Sequence, residues 1–591
     1  MSIFIHIVFI FFYMTVLTLN GTQVFPAGNQ TIKLTRENPY FTQSDSYTLE
    51  VTLPMDILEN RQFFGPIHRL EHSKRLSTMT CLLTVNNKPI LAGTAKVTQV
   101  SELEVKVQLI GGLSEVKFLS RENQVYIDEL EMGGPRASYI PSSQGRGGEW
   151  QENDLPVRYV MQAIYNETEG HQSIVPCPLL MDVMANVLSE SGYILESNAL
   201  DTVPWTSIYV ASPLRTLYLS HTLPHWLVAD FIEEFCRFFN CTLVTDSLKK
   251  TVRIAPNSEY FGSARQIEIS PVDEYTAELS DESESHSLAT DNLRYDLSSS
   301  SEHDYDVIDD NIRNSAPSTN YDSHSEAASA YRTMDADTRA KMIFRSPLGL
   351  WTAWQSDYTD VGGGTQTFFT QIDVFGTLFR DSASENETTL KICPVAIAET
   401  TTNVSGGRSQ WTYRMPSLEN PKGDERDTRG RGSESESSTI QEYVEGDADI
   451  EKAEKEDRMQ VFFLDDIEQD SICVDASESA REGVSVGDIR PVLMPFTDFL
   501  YKKNHGGNSH RQWSLSLNPS AAEHYLGQLH QNSYSFNMKA KYCVKFLADE
   551  MPDPTQVFVI RNKRFACEKI EAQIDDQGLQ QLMTGYFYEM L

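Results

Sequence analysis

Both ends of this 591-residue chain alternate apolar and polar residues with a period of two, and that pattern constrains the fold more than any other feature. Tyr47, Leu49, Val51 and Leu53 alternate with Thr48, Glu50 and Thr52, so a strand here has one buried and one wet face. LLTVNNKPILAGTAKVTQV then reads as strand, tight Asn-Asn turn, strand. Leu103, Val105, Val107 and Leu109 alternate with Glu104, Lys106 and Gln108 until Gly111-Gly112 ends the run. Three consecutive antiparallel strands with short turns form a meander, the unit from which small barrels and sandwiches are made. Near the other end, Tyr542, Val544 and Phe546 alternate with Cys543 and Lys545, and VFVIRNKRFACEKIEAQ is a second strand–turn–strand.

The two ends correspond. TVNNKPILAGTAKVTQ is followed by a strand ending in LIGG, and VIRNKRFACEKIEAQI is followed by QQLMTGYFYEM. Each reads strand, Asn-Lys turn, strand, break, strand with Gly. Hairpins converge on Asn-rich turns because those turns need left-handed residues, so two unrelated hairpins are one explanation. A duplicated unit flanking an inserted middle is the other.

The middle has a different texture. Residues 139–155 form a Gly/Ser linker. Leu180, Val183, Met184, Val187 and Leu188 follow helical spacing, with Gly192 as the stop. A second helix begins near His225, with Val228, Phe231, Ile232, Phe235 and Phe239 on one face; it ends near Asn240 and runs into a hairpin, CTLVT–DSLKK–TVRIA. Its apolar face is expected to be core and not a membrane surface. The predicted class is therefore mainly β with an α+β insertion: two small β-barrel or meander domains at the chain ends and a helix–hairpin module between them. The expected order is an apolar leader at 1–13, an N-terminal β domain at 14–138, the linker, and the helix–hairpin module at 156–272. An acidic Ser-rich flexible segment at 273–340, a β-rich segment at 341–415, a polar acidic linker at 416–457 and a C-terminal β domain at 458–591 complete it.

Charge narrows the function. With 84 acidic and 49 basic residues the formal net charge is −35, which disfavours a nucleic-acid backbone, since binding one needs Lys and Arg to displace counterions. Much of the charge lies in the two acidic segments, whose low hydrophobicity predicts disorder or extended excursions. The eight cysteines, at 81, 177, 236, 241, 393, 473, 543 and 567, form no Cys-x-x-Cys pair, and they read as free buried thiols in a reducing compartment.

Residues 2–19 are apolar and uncharged, about the length of a membrane span. As an export signal the run lacks a preceding Lys or Arg and a small-residue cleavage site. Two readings stay open: a true membrane or export segment, or a start at Met14, from which MTVLTLNGTQVF opens directly into a strand.

The motifs that could carry chemistry fail on context. His68, Glu71 and His72 match His-x-x-Glu-His, but a zinc site needs both histidines on one helical face, and this stretch lies in a short connection between strands. Gly483-Val484-Ser485-Val486-Gly487 matches a nucleophile elbow, yet Pro491 cuts off the helix that must follow. Gly362-Gly363-Gly364 lacks the Lys-Ser/Thr of a phosphate loop and reads as a loop tip. Asp304, Asp306, Asp309 and Asp310 lack the spacing and Gly of a calcium loop. No catalytic, cofactor or metal residue is assigned, and the chain is read as a non-enzyme.

Residues 37–71 (ENPYFTQSDSYTLEVTLPMDILENRQFFGPIHRLE) with the meander at 86–112 resemble the N-terminal region of tail proteins from prophages of Bacteroides-type bacteria, and residues 561–591 are similar to their C-terminal region. Residues 224–255 resemble the helix–hairpin insert of such chains. The broader family is the tail or baseplate hub proteins of long-tailed phages, and the resemblance covers about a third of the chain. It implies a virion structural protein, a homotrimer whose paired β-barrels present a pseudo-sixfold ring, and tube and distal tail proteins as partners. It implies no specific nucleic-acid binding and assembly in the bacterial cytoplasm. The competing reading is an exported or membrane-anchored cell-envelope binding protein, in which residues 2–19 are the anchor. A third, a zinc peptidase using His68, Glu71 and His72, requires bound zinc.

Overall fold

The computed structural model describes residues 15–132, 157–279, 293–295, 318–320, 342–345, 351–374, 388–414, 459–465, 494–496, 513–531 and 534–591. Short gaps within these spans fall at 29, 43–45, 70–77, 167–170, 212–218, 263, 274, 362–363, 396, 405–407, 516, 518–523 and 576.

The N-terminal meander forms as the alternation requires. Its strands are Ser46–Pro54, Thr78–Val85, Lys88–Val100 and Glu104–Gly111. Across the sheet they lie in the order first, fourth, third, second, all antiparallel. Asn86 and Asn87 carry φ of 52° and 62°, the paired left-handed residues of a type I′ turn, whose twist matches that of the flanking strands. Met79, Cys81, Leu83, Val85, Val105, Val107 and Leu109 point into the core. One residue departs from the alternation. Thr48, expected on the wet face, is fully buried, because a register shift between Tyr47 and Glu50 turns the strand over. Its Oγ1 accepts the N–H of Leu109 at 3.0 Å, which satisfies the hydroxyl inside the core.

The C-terminal strands repeat this unit. Phe536–Leu547, Val557–Ile560, Lys563–Asp575 and Leu582–Met590 again lie in the order first, fourth, third, second. Arg561 and Asn562 (φ 49° and 65°) make the second two-residue turn. Both third strands begin with Lys, at Lys88 and Lys563, and both run 13 residues. Each third–fourth ladder is broken by one bulge, between Val97 and Gln99 in one unit and between Cys567 and Lys569 in the other.

The two units are one sheet. Ile32–Glu37 pairs through Leu34–Arg36 with Ser46–Thr48 on one side, and along its full length with residues 569–574 on the other. A single apolar core runs through both units and includes Leu34, Val51, Leu83, Phe546, Ile570 and Phe587. Segment 266–279 also belongs to the C-terminal unit. Gln266–Glu268 lies parallel to Val557–Val559 at one edge, Pro271 bridges to Phe546, and Thr276–Leu279 pairs with Ala540–Cys543 at the other edge. Thr276–Leu279 thus forms a strand within a stretch whose composition alone reads as acidic and flexible; the neighbouring strand supplies the pairing that local sequence does not advertise. No barrel closes by a continuous ladder among the described strands.

The central module matches its periodicity. Leu180–Glu190 and Val228–Phe239 are helices whose apolar faces are buried. Asn240, in the left-handed conformation, caps the second and turns the chain into the hairpin Cys241–Asp246/Thr251–Pro256, with Ile194–Asn198 parallel to its second strand. A third helix, Gly112–Glu122, joins the module to the N-terminal unit. Val183, Val187, Phe231, Phe235 and Phe239 share a core with Leu390, Ile392, Val461, Phe463, Trp513 and Leu526. Residues drawn from between 388 and 529 therefore pack with the helix–hairpin module, and residues from Phe536 onward with the terminal sheet. Strands between Ser318 and Arg414 form a separate six-stranded sheet.

Candidate functional site

The described residues that touch across the largest sequence separations lie along the seam between the two terminal units and under the central module. At the seam, the N-terminal hairpin turn meets the connections of the C-terminal unit. Lys88 forms an ion pair with Glu550. Thr15 Oγ1 donates to the carbonyl of Asp575 at 2.8 Å. Gly578 lies against the Asn86 side chain, and its φ of +109° is a backbone conformation that favours glycine.

Behind the seam, buried Asn38 uses its whole amide. Nδ2 donates to the carbonyls of Pro554 (3.0 Å) and Cys567 (2.8 Å), and Oδ1 accepts from Tyr40 N–H (3.1 Å) and the Tyr260 hydroxyl (2.9 Å). One side chain so ties the bridging strand, the C-terminal unit and the end of the central module. Tyr40, packed among Tyr260, Phe261 and Phe536, has its hydroxyl pushed up to about 12 by burial.

A second polar cluster docks the module on the N-terminal unit. Glu115 accepts from Thr94 Oγ1 (2.8 Å), the Tyr193 hydroxyl (2.7 Å) and Lys250 Nζ (2.5 Å), and Lys250 also lies 4.7 Å from the centroid of the Tyr193 ring. The cluster joins strand, helix and hairpin with its hydrogen bonds satisfied, the condition under which buried polar groups fix a unique arrangement. On the module's far side, His530 places Nε2 3.0 Å from the carbonyl of Phe238, and Asn240 Nδ2 donates to Leu529 O at 2.7 Å. Burial holds the His530 imidazole down at about 4, so it sits neutral and donates.

The cleft beside Tyr40, lined by Pro39, Lys117, Cys236, Arg237 and Cys241, has a volume of about 20 Å³, room for about one water. Burial, reinforced by the neighbouring Cys236, raises the Cys241 thiol well above its ordinary range and keeps it from acting as a thiolate. Among the described residues no three His, Cys, Asp or Glu side chains gather as a metal site. His68 follows the short helix Leu58–Phe64 in a turn, while Glu71 and His72 lie outside the described residues. Residues 483–487 and Asp304, Asp306, Asp309 and Asp310 also lie outside them. Gly364 opens a strand that pairs with Trp351–Val361, with residues 362 and 363 outside the described set. Seven cysteines are free thiols, six of them buried; Cys473 is not described. No described helix is long and apolar enough to cross a membrane.

Sequence reading missed Asn38, Glu115 and Lys250. A lone Asn before Pro39, and one Glu or Lys in a charged surface pattern, carry no local signal of burial.

The fold and its seam define a mainly β protein whose built features are contacts between modules. No protein-family model matches the chain, and no curated protein matches it. Among solved structures it is similar to the 43 kDa tail protein of prophage MuSo2 from Shewanella oneidensis, with 9% identity, a TM-score of 0.32, and 97% of this chain and 96% of that one covered. It is also similar to a tail protein from Neisseria meningitidis MC58, with 5% identity, a TM-score of 0.32, and coverage of 98% and 96%. Superpositions this loose fall short of a shared fold.

Proposed function

We propose that the chain is a structural protein of a phage tail, at the tip or baseplate hub, working by assembly of copies of itself and not by catalysis. The observation that carries this reading is the repeated four-strand unit. One chain presents two equivalent modules fused edge to edge, which is what a subunit needs in order to match a ring of twice its own copy number. Three copies then offer six similar modules to a hexameric tube. The resemblance of residues 37–71, 86–112 and 561–591 to tail proteins agrees with it, and so does a polar seam built for positioning. Tube and distal tail proteins are the partners this reading names, and the virion is its location.

Electron microscopy of the purified oligomer tests the proposal. A ring with six similar lobes is expected, built from three chains. Particles with no ring, under conditions where the tail tube protein is present, would remove the hub assignment.

A further inference from the structure

Within the chain, the hairpin turn of the N-terminal unit docks on the connections of the C-terminal unit, Lys88 against Glu550 and Asn86 against Gly578. The two units share strand order and turn type, so the same contact has a second half on each side of the molecule. On the C-terminal unit, the equivalent turn meets no connection of the other unit among the described residues and is strongly basic: Arg561, Lys563 and Arg564 are exposed, with exposed Lys539 at the same end of the sheet. On the N-terminal unit, the equivalent connections are acidic and apolar. Asp56, Glu59 and Glu102 are exposed beside Leu58 and Leu103, the latter 80% exposed. The two free ends match in charge the pair that is already joined.

The sheet edges show the same relation. Ile32–Glu37, which flanks the first strand of the N-terminal unit, pairs on its other side with the third strand of the C-terminal unit. Thr276–Leu279 flanks the first strand of the C-terminal unit in the same antiparallel sense, and among the described residues it ends the sheet. Its four residues are exposed, Leu279 by 79%, an open hydrogen-bonding edge of the kind that recruits another chain.

From these two observations we propose that the basic turn 561–564 and the edge strand Thr276–Leu279 of one copy dock on the N-terminal unit of a second copy, at Asp56, Glu59 and Glu102. The contact is heterologous, turn to connection, so it repeats from copy to copy and closes into a ring where the rotation allows. It continues the seam inside the chain with a counterpart between chains. Leu58 and Leu103 become covered, and the basic turn of an otherwise acidic protein gains its opposite charges. In the free chain Lys563 pairs with Glu589, and Arg561 lies over the Tyr275 ring; docking adds carboxylates to this cluster, and Arg564 and Lys539 meet them directly. The inference rests on the self-assembly reading above.

Zero-length carbodiimide crosslinking of full-length protein, co-assembled from unlabelled and ¹⁵N-labelled chains, tests it by mass spectrometry. Mixed-isotope peptides joining Lys563 or Lys539 to Asp56, Glu59 or Glu102 are expected. Arg561→Glu with Arg564→Glu should lower their yield about tenfold, and adding Asp56→Arg with Glu59→Arg should restore the assembly. An oligomer whose mixed-isotope crosslinks all lie elsewhere overturns this interface and leaves the assembly reading standing. Chains that stay monomeric at every concentration overturn both.

Discussion

Asn38 Nδ2 lies 2.8 Å from the carbonyl oxygen of Cys567, a contact across 529 residues of chain between the bridging strand and the bulge of the C-terminal unit. Because the amide also serves Pro554, Tyr40 and Tyr260, its removal strands several buried groups at once. Unsatisfied buried polar groups cost about 1–3 kcal/mol each. Asn38→Ala should therefore destabilise the terminal sheet by about 3 kcal/mol or more in urea unfolding. Asn38→Asp should fail to rescue it, since a carboxylate cannot donate to two carbonyls.

Glu115 anchors the central module in the same manner. Glu115→Ala leaves the buried Tyr193 hydroxyl and Lys250 without their shared acceptor, and the expected loss is about 2–4 kcal/mol. Lys250→Met alone should cost less, because its ammonium is over a third exposed and keeps water as an alternative. Equilibrium unfolding of the two single variants and the double variant measures the coupling.

His530 gives the fold an acid limit. Its imidazole titrates near 4 in the folded chain against 6.5 when exposed, so the folded state binds its proton later than the unfolded one. Stability from this group is whole above about pH 6.5 and falls as pH drops toward 4, by about 3 kcal/mol in all. Relative to His530→Gln, which keeps a donor and does not titrate, wild-type stability should decline by about 2–3 kcal/mol between pH 7 and pH 4.5. Parallel declines in the two proteins would contradict this.

Gly93 is fixed by close packing. A Cβ there would lie 2.0 Å from the carbonyl oxygen of Ile110 and 2.8 Å from the Cα of Gly111, both backbone atoms of the paired strand. Gly93→Ala must push the third and fourth strands of the N-terminal unit apart, and overpacking of this kind costs about 1–3 kcal/mol. Amide exchange should accelerate across Lys88–Val100 and Glu104–Gly111 and stay unchanged in Val228–Phe239.

Local pattern was readable and long-range pairing was not. The alternation of Val105, Val107 and Leu109, the Asn86-Asn87 turn, and the helical spacing of Phe231, Phe235 and Phe239 each encode their own element, because side-chain periodicity follows backbone geometry. The Asn-Lys pairs at 87–88 and 562–563 point to a correspondence of the two ends and leave two unrelated hairpins as the alternative. Nothing in residues 32–37 says that the partner strand lies more than 530 positions further on, with Glu571 opposite Thr35. Thr48 was misplaced because a bulge carries no sequence period. Thr276–Leu279 was hidden by the acidic residues around it, since a strand held by neighbours needs little propensity of its own. Asn38 and Glu115 acquire their meaning only when distant carbonyls and cations are brought to them.

Solution mass by light scattering during gel filtration reads out self-assembly through the duplicated modules. A particle of three times the 66.9 kDa chain is expected, stable to dilution and weakened by high salt where the charged turns meet. A particle of 66.9 kDa at all concentrations would contradict it.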